Sequence, residues 1–182
     1  ERAQQVLQEH LRSLERTRRA GRELRVRNGA IVVLDVATGD ILVMVGSPDY
    51  DDAGISGAVN GALALRQPGS AIKPITYAVA FEQGFSPGSV FADEPATFLT
   101  AELEPYQPVN FDGRFHGRVT LREALASSYN VVAVKVLNEI GLPAMLDMAG
   151  RLGITSLRPS ARLGLAATLG GGEVSLLELT AA

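Results

Sequence analysis

Two runs of β-branched residues separated by a short polar stretch predict a β-hairpin in the first third of the chain. In the segment AIVVLDVATGDILVMVGS, the runs extend from Ala30 to Val36 and from Ile41 to Gly46. The intervening ATGD consists of turn-forming residues, and Gly39 can adopt the positive φ that tight turns need. This hairpin is the clearest local signal in the sequence.

A polar helix is predicted before the hairpin, over residues 1 to about 20. Leu7, Leu11 and Leu14 fall at i, i+4 and i+7, which gives this helix one narrow apolar stripe. An arginine-rich stretch from Arg16 to Arg27 overlaps its end. Because the charges are of mixed sign, with Glu23 among the arginines, a solvated connector is favoured over a patch that binds a partner or a membrane surface.

Several helices are predicted after the hairpin. One extends from about Ser70 to Gln83 and is ended by Gly84. Capping boxes at Thr120–Glu123 and Ser175–Glu178 begin two more helices. The apolar segments NVVAVKVLNEIG and PAMLDMAGRLG add another two, the first ended by Gly141.

The fold class is therefore α+β, with one hairpin, a helical part and an incomplete sheet. Residues 85–119 are rich in proline and glycine and show little periodicity, so a long irregular connection is expected there. Residues 1–28 are predicted to form a helical connector, and residues 29–182 to form the main domain.

Composition narrows the possible functions. The chain has 182 residues, 46% of them apolar, and a net charge of −3. Residues 1–27 carry a net charge of +4 and residues 28–182 one of −7, so the main body is not a nucleic-acid-binding surface. The absence of cysteine excludes disulfides, thiolate metal sites and cysteine nucleophiles. No run approaches 18 apolar residues, so the sequence predicts no membrane span.

Ser70 and Lys73 are the first candidates for chemistry, in the stretch RQPGSAIKPITYAVAF. A serine hydroxyl is a weak nucleophile and needs a nearby base. Residues three apart share one face of a helix, with Cβ atoms about 5–6 Å apart, so the amine can reach the hydroxyl. A buried lysine has a lowered pKa and can act as that base, whereas arginine stays charged.

The use of lysine supports this interpretation. Of 17 basic residues only Lys73 and Lys135 are lysines. Pro74 is tolerated only near the start of a helix, which places Ser70 at the helix N-terminus, where backbone N–H groups favour a developing oxyanion. The alternative is that Ser70 is only an N-cap and that Lys73 extends to solvent.

Ser128 and Asn130, in SSYN, form a second polar pair within apolar helical sequence. A serine there can relay a proton to a leaving group, and an asparagine can hold both the lysine and a substrate amide. The alternative is a polar kink between two helices. The two motifs together, 58 residues apart, are more informative than either one alone.

Other catalytic motifs are mostly absent. No P-loop and no H-E-x-x-H zinc motif occurs in the sequence. His10 and His116 are expected to be surface or structural residues. A Ser-His-Asp triad could involve only His116, and no G-x-S-x-G segment supports it.

The surroundings of these motifs resemble class A high-molecular-weight penicillin-binding proteins. VNGALALRQPGSAIKPITYAVAFEQG is similar to their nucleophile region, and YQPVNFDGRFHGRVTLREALASSYNVVAVKVLNEIG is similar to their second-motif region. AIVVLDVATGDILVMVGSPDY and LGGGEVSLLELTAA match in the same order, so the resemblance covers about residues 28–182. The sequence around Ser70 is most similar to that of the bifunctional glycosyltransferase–transpeptidases, in particular a penicillin-binding protein 1C-like branch. S-x-x-K with S-x-N is also part of the wider motif set of serine β-lactamases and penicillin-binding proteins.

This resemblance implies a partial transpeptidase fold and a D,D-transpeptidase that cross-links peptidoglycan. Ser70 attacks the D-Ala-D-Ala bond of a stem peptide, and Lys73 is the base for acylation. Ser128 and Asn130 assist the leaving group and position the peptide. Gly69, Tyr129 and Asn110 are expected to contact substrate.

The same resemblance implies the molecular setting. Stem peptides and β-lactam antibiotics are the expected partners, and no nucleic acid, metal or organic cofactor is expected. The expected location is the bacterial cell envelope, at the outer face of the cytoplasmic membrane. A membrane anchor and a glycosyltransferase domain are expected only in an N-terminal part that this sequence lacks.

The chain departs from the family pattern in its third motif. Neither lysine precedes Thr-Gly, so no K-T-G occurs in the sequence. We therefore expect a fragment that ends before this motif, with weak or absent acylation by β-lactams. The alternatives are a serine β-lactamase or D,D-carboxypeptidase, and a non-catalytic penicillin-sensor module of the same fold.

Overall fold

The computed structural model describes residues 1–16, 18–19, 22–23, 26–100, 103–157 and 163–182. Contacts divide the chain into two compact units. One consists of Glu1–Arg66 with Val174–Ala182, and the other of Gln67–Glu173. Part of the Arg16–Arg27 cluster lies outside the described residues, and the domain boundary expected after residue 28 stays a prediction.

The described elements are one helix and four short strands, then a second helix and four more short strands, and finally four helices. The helices are α1 (Arg2–Glu15), α2 (Lys73–Glu82), α3 (Leu121–Ala126), α4 (Asn130–Ile140), α5 (Leu142–Arg151) and α6 (Leu176–Ala181). The strands are β1 (Arg18–Arg19), β2 (Arg22–Glu23), β3 (Ile31–Leu34), β4 (Ile41–Val45), β5 (Val90–Asp93), β6 (Phe98–Leu99), β7 (Pro105–Tyr106) and β8 (Gly117–Thr120). Short 3₁₀ turns cover Ala53–Ile55, Gly69–Ile72 and Leu165–Leu169.

The predicted hairpin is confirmed in the first unit. β3 and β4 pair antiparallel, with Ile31 opposite Val45 and Leu34 opposite Ile41. Gly39 has φ 77° in the connecting turn, and its N–H donates to the Asp35 carbonyl at 2.8 Å. Positive φ is the conformation that a glycine adopts without strain, which explains its place in this turn.

The two ends of the first unit meet at α6. Arg66 and Val174 exchange both backbone hydrogen bonds, and Leu177 N–H donates to the Ala62 carbonyl at 3.1 Å. The predicted capping box at Ser175–Glu178 is present and begins α6. On α1, Leu7 and Leu11 are buried, although this helix ends at Glu15, five residues earlier than predicted.

Helix α4 is the centre of the second unit. Its valines and leucine from Val131 to Leu137 are fully buried, and α2, α3, α5 and the turn at Leu165–Leu169 pack around it. Burying each such side chain contributes about 1.5–3 kcal/mol, so α4 is the main apolar support of this unit. Helix α4 is ended by Gly141, as the sequence predicted. Gly141 has φ 83°, a conformation that glycine adopts without strain and that does not continue a helix.

The region expected to be one irregular connection contains two small antiparallel ladders. β5 pairs with β8, placing Val90 opposite Thr120, and β6 pairs with β7. The expectation was wrong because these strands are only two to four residues long, and because the partners in the β5–β8 ladder are far apart in the sequence. The β5–β8 ladder ends at the capping box of α3, where Thr120 N–H donates to Glu123 Oε2 at 2.8 Å.

The start of the predicted helix at Ser70 also differs from expectation. Gly69–Ile72 is a 3₁₀ turn, and α2 begins only at Lys73. Pro74 has no N–H to donate to the Ser70 carbonyl, whereas Lys73 N–H donates to it in the tighter 3₁₀ pattern. In a 3₁₀ turn residues i and i+3 are eclipsed, so Ser70 and Lys73 still lie on the same side.

Candidate active site

Three of the predicted catalytic residues come together at the ends of helices. Lys73 is the first residue of α2, Ser128 lies in the link between α3 and α4, and Asn130 is the first residue of α4. Because α2 packs against α4, the lysine side chain reaches the link that precedes α4. Residues more than 50 positions apart in the sequence therefore form one polar cluster.

The Lys73 amine donates three hydrogen bonds within this cluster. Its Nζ lies 2.6 Å from the Ser128 carbonyl oxygen, 3.0 Å from Ser128 Oγ and 2.8 Å from Asn130 Oδ1. An ammonium has three protons, so each of them has an acceptor. The side chain does not extend to solvent, because Lys73 is only 1% exposed.

Burial changes the chemistry of this amine. Desolvation lowers the pKa of Lys73 to about 8, because the charged form is disfavoured away from water. The neutral amine, which has a free electron pair, is therefore accessible near physiological pH. This is the property that a proton acceptor needs.

Ser70 lies in the 3₁₀ turn that precedes Lys73 and is exposed. Within the described part of the chain, no hydrogen bond joins Ser70 Oγ to Lys73 Nζ. The amine instead bonds to the second motif, so the Ser70–Lys73 proton transfer stays a prediction. When Lys73 is neutral, its two remaining N–H groups can still donate to two of these acceptors, and its free electron pair can accept a proton from another partner.

The Ser128 backbone adopts the left-handed conformation, with φ 57°. A non-glycine residue in this region costs about 1–3 kcal/mol and persists only where its surroundings hold it. Here the conformation ends α3 and turns the Ser128 carbonyl and hydroxyl toward Lys73. The polar segment SSYN is thus the tight link between two helices, and its side chains serve the cluster.

Asn110, which was expected to contact substrate, lies behind Asn130 and is 4% exposed. Its Oδ1 accepts from Asn130 N–H at 2.8 Å and from Val131 N–H at 3.2 Å. Its Nδ2 donates to both carboxylate oxygens of Asp93, at 2.9 and 2.8 Å, and to the Arg114 carbonyl at 2.8 Å. Both ends of the amide are therefore engaged inside the protein.

Tyr129 and His116 stack face to face, with ring centroids 4.0 Å apart and planes 14° apart. His116 Nδ1 lies 2.6 Å from Asp93 Oδ2, and its Nε2 lies 3.2 Å from Asp112 Oδ2. Since both ring nitrogens face carboxylates, His116 is not placed as a base for Ser70. Sequence reasoning did not identify Asp93, although an acidic residue that ends the apolar run VFAD is a usable signal.

The glycine turn at Gly170 lies directly against the turn that carries Ser70. Gly170 has φ 87°, and a Cβ built there would lie 2.5 Å from Gly69 Cα and 2.8 Å from the Gly69 carbonyl oxygen. Only a residue without a side chain allows this approach. Gly69 itself has φ 58°. Nearby, Thr76 and Thr168 share a hydrogen bond of 2.8 Å between their hydroxyls.

The described ranges give two further findings. They contain no group of three or more His, Cys, Asp or Glu residues arranged to hold a metal ion. None of the helices in the described part of the chain has the length and hydropathy needed to span a bilayer.

Known sequences are similar to this chain over most of its length. A profile described as penicillin binding protein transpeptidase domain matches residues 29–172. Penicillin-binding protein 1A of Aquifex aeolicus is 38% identical over 155 residues, which are 85% of this chain and 20% of that protein. Penicillin-binding protein 1A of Neisseria meningitidis is 35% identical over 156 residues, which are 85% of this chain and 19% of that protein. The chain thus spans about a fifth of the length of these curated relatives.

Solved structures give the same result. Penicillin-binding protein 1A from Haemophilus influenzae superposes with a TM-score of 0.74 at 29% identity, over 86% of this chain and 23% of that one. PonA1 from Mycobacterium tuberculosis, solved in complex with penicillin V, superposes with a TM-score of 0.67 over 82% of this chain and 40% of that one. At 22% identity, this second similarity shows the fold alone. Because these relatives are 1A proteins, the 1C-like branch stays a prediction.

Proposed function

The chain belongs to the family of penicillin-binding protein transpeptidase domains, and from this premise we propose that it carries the acylation machinery of a D,D-transpeptidase. The family resemblance and the α+β fold expected from the sequence are confirmed. Membership of this family supports the assignment of the protein as a serine-type acyltransferase or peptidase. The observation that carries the finer proposal is the triple hydrogen bond of the buried Lys73 amine to the S-x-N motif.

Acylation begins at Ser70. Its Oγ attacks the carbonyl carbon of the D-Ala-D-Ala peptide bond while its proton passes to the neutral Lys73 amine. The exposed position of Ser70 makes it accessible to a peptide, and the lowered pKa of Lys73 supplies the proton acceptor. A new ester C–O bond forms as the peptide C–N bond breaks.

The second motif serves the leaving group. The departing D-Ala amine needs a proton, and the Ser128 hydroxyl can pass one on from Lys73 because its Oγ lies 3.0 Å from Nζ. Asn130 keeps Lys73 in place through Oδ1. An amine of a neighbouring stem peptide then attacks the ester, which releases Ser70 and completes the cross-link.

The proposed substrates are peptidoglycan stem peptides, and β-lactams acylate Ser70 as mimics of D-Ala-D-Ala. The match of residues 29–172 to the penicillin binding protein transpeptidase domain supports this proposal. The proposed location is the extracytoplasmic face of the bacterial envelope. A glycosyltransferase activity and a membrane anchor are proposed for the whole protein, outside these 182 residues. The matched relatives are penicillin-binding proteins, so β-lactamase, carboxypeptidase and sensor functions are not favoured.

The test compares two serine substitutions in the full gene product that carries these 182 residues. Ser70→Ala is expected to abolish covalent labelling by a fluorescent penicillin and cross-linking of stem peptides. Ser127→Ala, which removes an exposed hydroxyl outside the cluster, is expected to leave labelling at the wild-type level. Labelling and cross-linking that survive Ser70→Ala would overturn the proposal.

A further inference from the structure

A buried polar network lies behind the S-x-N motif and binds the backbone N–H and the amide nitrogen of Asn130. Its centre is the Asp93 carboxylate, which is completely buried at the end of β5. A buried carboxylate is costly unless hydrogen bonds compensate for the lost water. Asp93 accepts from Asn110 Nδ2, from His116 N–H at 2.9 Å and, in the tautomer protonated there, from His116 Nδ1. The Asp93 carboxylate is thus held by Asn110 and by His116.

Asn110 connects this network to the start of α4. The first N–H groups of a helix have no partner within the helix, and here the N-cap residue Tyr129 makes no side-chain cap. Asn110 Oδ1 accepts two of them, those of Asn130 and Val131. The cap of α4 is therefore supplied by a residue 20 positions earlier in the chain.

Asn130 is held on the same side by a third contact. Its Nδ2 donates to the Val109 carbonyl at 2.9 Å. With its backbone N–H and its amide nitrogen both bound to residues 109–110, Asn130 has one direction left for Oδ1, which is toward Lys73. The loop before β8 thus sets the direction of the contact to the lysine.

The stacked rings fix the other side of the motif. Tyr129 lies between Ser128 and Asn130 in the chain, and its ring rests on His116, which Asp93 also holds. The left-handed backbone of Ser128 needs such support. One buried carboxylate therefore steadies both residues that surround the lysine amine.

We infer that Asn110, held by Asp93 and His116, is a positioning residue that sets the S-x-N motif around Lys73. It acts by capping α4 and by directing Asn130 Oδ1, in place of the substrate contact expected from the sequence. The inference rests on the proposed acyl transfer, since acylation is its readout. It assigns no chemical step to Asn110 itself.

The decisive variant is Asn110→Ala in the full gene product, with labelled penicillin as the probe. We expect the second-order rate constant of acylation to fall about 100-fold, because displacing a catalytic group by about 1 Å costs that much. The matched control is Gly141→Ala, which strains the C-terminal end of the same helix at φ 83° and leaves the network intact. At a temperature where both variants are folded, the acylation rate constant of the control should fall less than about threefold, since its catalytic groups keep their positions.

The pH profile distinguishes positioning from general stability. Removing the cap draws acceptors away from the Lys73 ammonium, so the rate midpoint of Asn110→Ala should move to lower pH than in the wild type. Gly141→Ala should keep the wild-type midpoint. Equal rates and equal midpoints in the two variants at matched thermal stability would overturn the inference.

A swapped pair keeps the test decisive if Asn110→Ala does not fold. Asn110→Asp places two carboxylates together, whereas Asn110→Asp combined with Asp93→Asn restores one amide and one carboxylate in contact. The double variant should react at least about tenfold faster than Asn110→Asp. A folded double variant that is as slow as Asn110→Asp overturns the inference. Failure of the proposed function itself would be recognised separately, because penicillin would then not label Ser70 of the wild-type protein.

Discussion

Lys73 combines two properties that normally exclude each other, since it is almost completely buried and still carries a titratable amine. Burial stabilises the neutral form, whereas the three acceptors around Nζ stabilise the charged form. The outcome is a pKa lowered from 10.5 to about 8 by desolvation. The unfolded chain binds this proton more tightly, so the contribution of Lys73 to stability improves as pH rises from about 8 toward 10.5.

Acylation of Ser70 should therefore increase with pH. If neutral Lys73 is the base, the second-order rate with labelled penicillin should rise about tenfold per pH unit below the pKa and level off above it. The midpoint should lie near pH 8, the value to which burial lowers the pKa of Lys73. Stopped-flow or quenched labelling between about pH 6 and about pH 10 measures this profile.

The two lysines of the chain provide a matched pair of controls for that profile. Lys73→Arg should abolish acylation at every pH, because a guanidinium does not release its proton and is too large for this buried position. Lys135→Arg should keep the rate and the profile, because Lys135 binds the Ala92 carbonyl at 2.6 Å, outside the cluster. A flat profile in the wild type, or reactive Lys73→Arg protein, would contradict the assignment of Lys73 as the base.

The residues that could be identified from sequence are those whose chemistry conflicts with their surroundings. Lys73 is a cation in an apolar helix, and Ser128 and Asn130 interrupt another apolar helical stretch. The position of Asp93 after the apolar residues of VFAD is a weak local signal, and Asn110 was identified only through the family resemblance, as a substrate contact. Their role depends on the β5–β8 pairing and on the position of α4, which are properties of the fold.

At the scale of elements, local chemistry decided which predictions succeeded. The hairpin and both capping boxes were predicted because each is determined by fewer than 20 neighbouring residues. The 3₁₀ turn at Gly69–Ile72 was missed because it depends on the missing donor of Pro74 and on the packing of a distant glycine. The ladder of β5 and β8 was missed because its partners lie about 30 residues apart.

The packing of the Gly170 turn against the Ser70 turn leads to an element-scale prediction. Gly170→Ala introduces a Cβ that overlaps the Gly69 backbone at a residue with φ 87°. Either this turn or the turn that carries Ser70 must shift, so we expect destabilisation of about 1–3 kcal/mol. We also expect about a 100-fold slower acylation, because the nucleophile moves relative to Lys73. Thermal unfolding and labelled-penicillin kinetics measure the two effects.

Gly150→Ala is the matched control for this substitution. Gly150 lies in α5, and a Cβ there meets no atom within 4 Å. Alanine is favoured over glycine in a helix by about 1 kcal/mol, so this variant should gain stability slightly and keep its acylation rate. If Gly170→Ala reacts as fast as Gly150→Ala, the turn at Gly170 does not position the nucleophile.

At the scale of the whole molecule, two of the three family motifs lie in one compact unit. Ser70, Lys73, Ser128 and Asn130 all belong to Gln67–Glu173, and α4 supports them from inside that unit. The third motif, K-T-G, does not occur in the sequence. The 182 residues thus carry the proposed nucleophile, base and proton relay without K-T-G, the motif that the family resemblance implies would form part of the oxyanion hole and bind the substrate carboxylate.

This division predicts the behaviour of the 182-residue chain studied by itself. Removing one donor from an oxyanion hole costs about 10²–10³ in rate, so a chain that lacks a whole motif should be acylated by penicillin weakly or not at all. Intact-mass spectrometry after incubation with labelled penicillin measures this, with the Ser70→Ala chain as the background. A rapid stoichiometric adduct on Ser70 would show that the residues present form a complete site. Slow labelling that Ser70→Ala removes would show a correctly placed nucleophile that lacks stabilisation of its transition state.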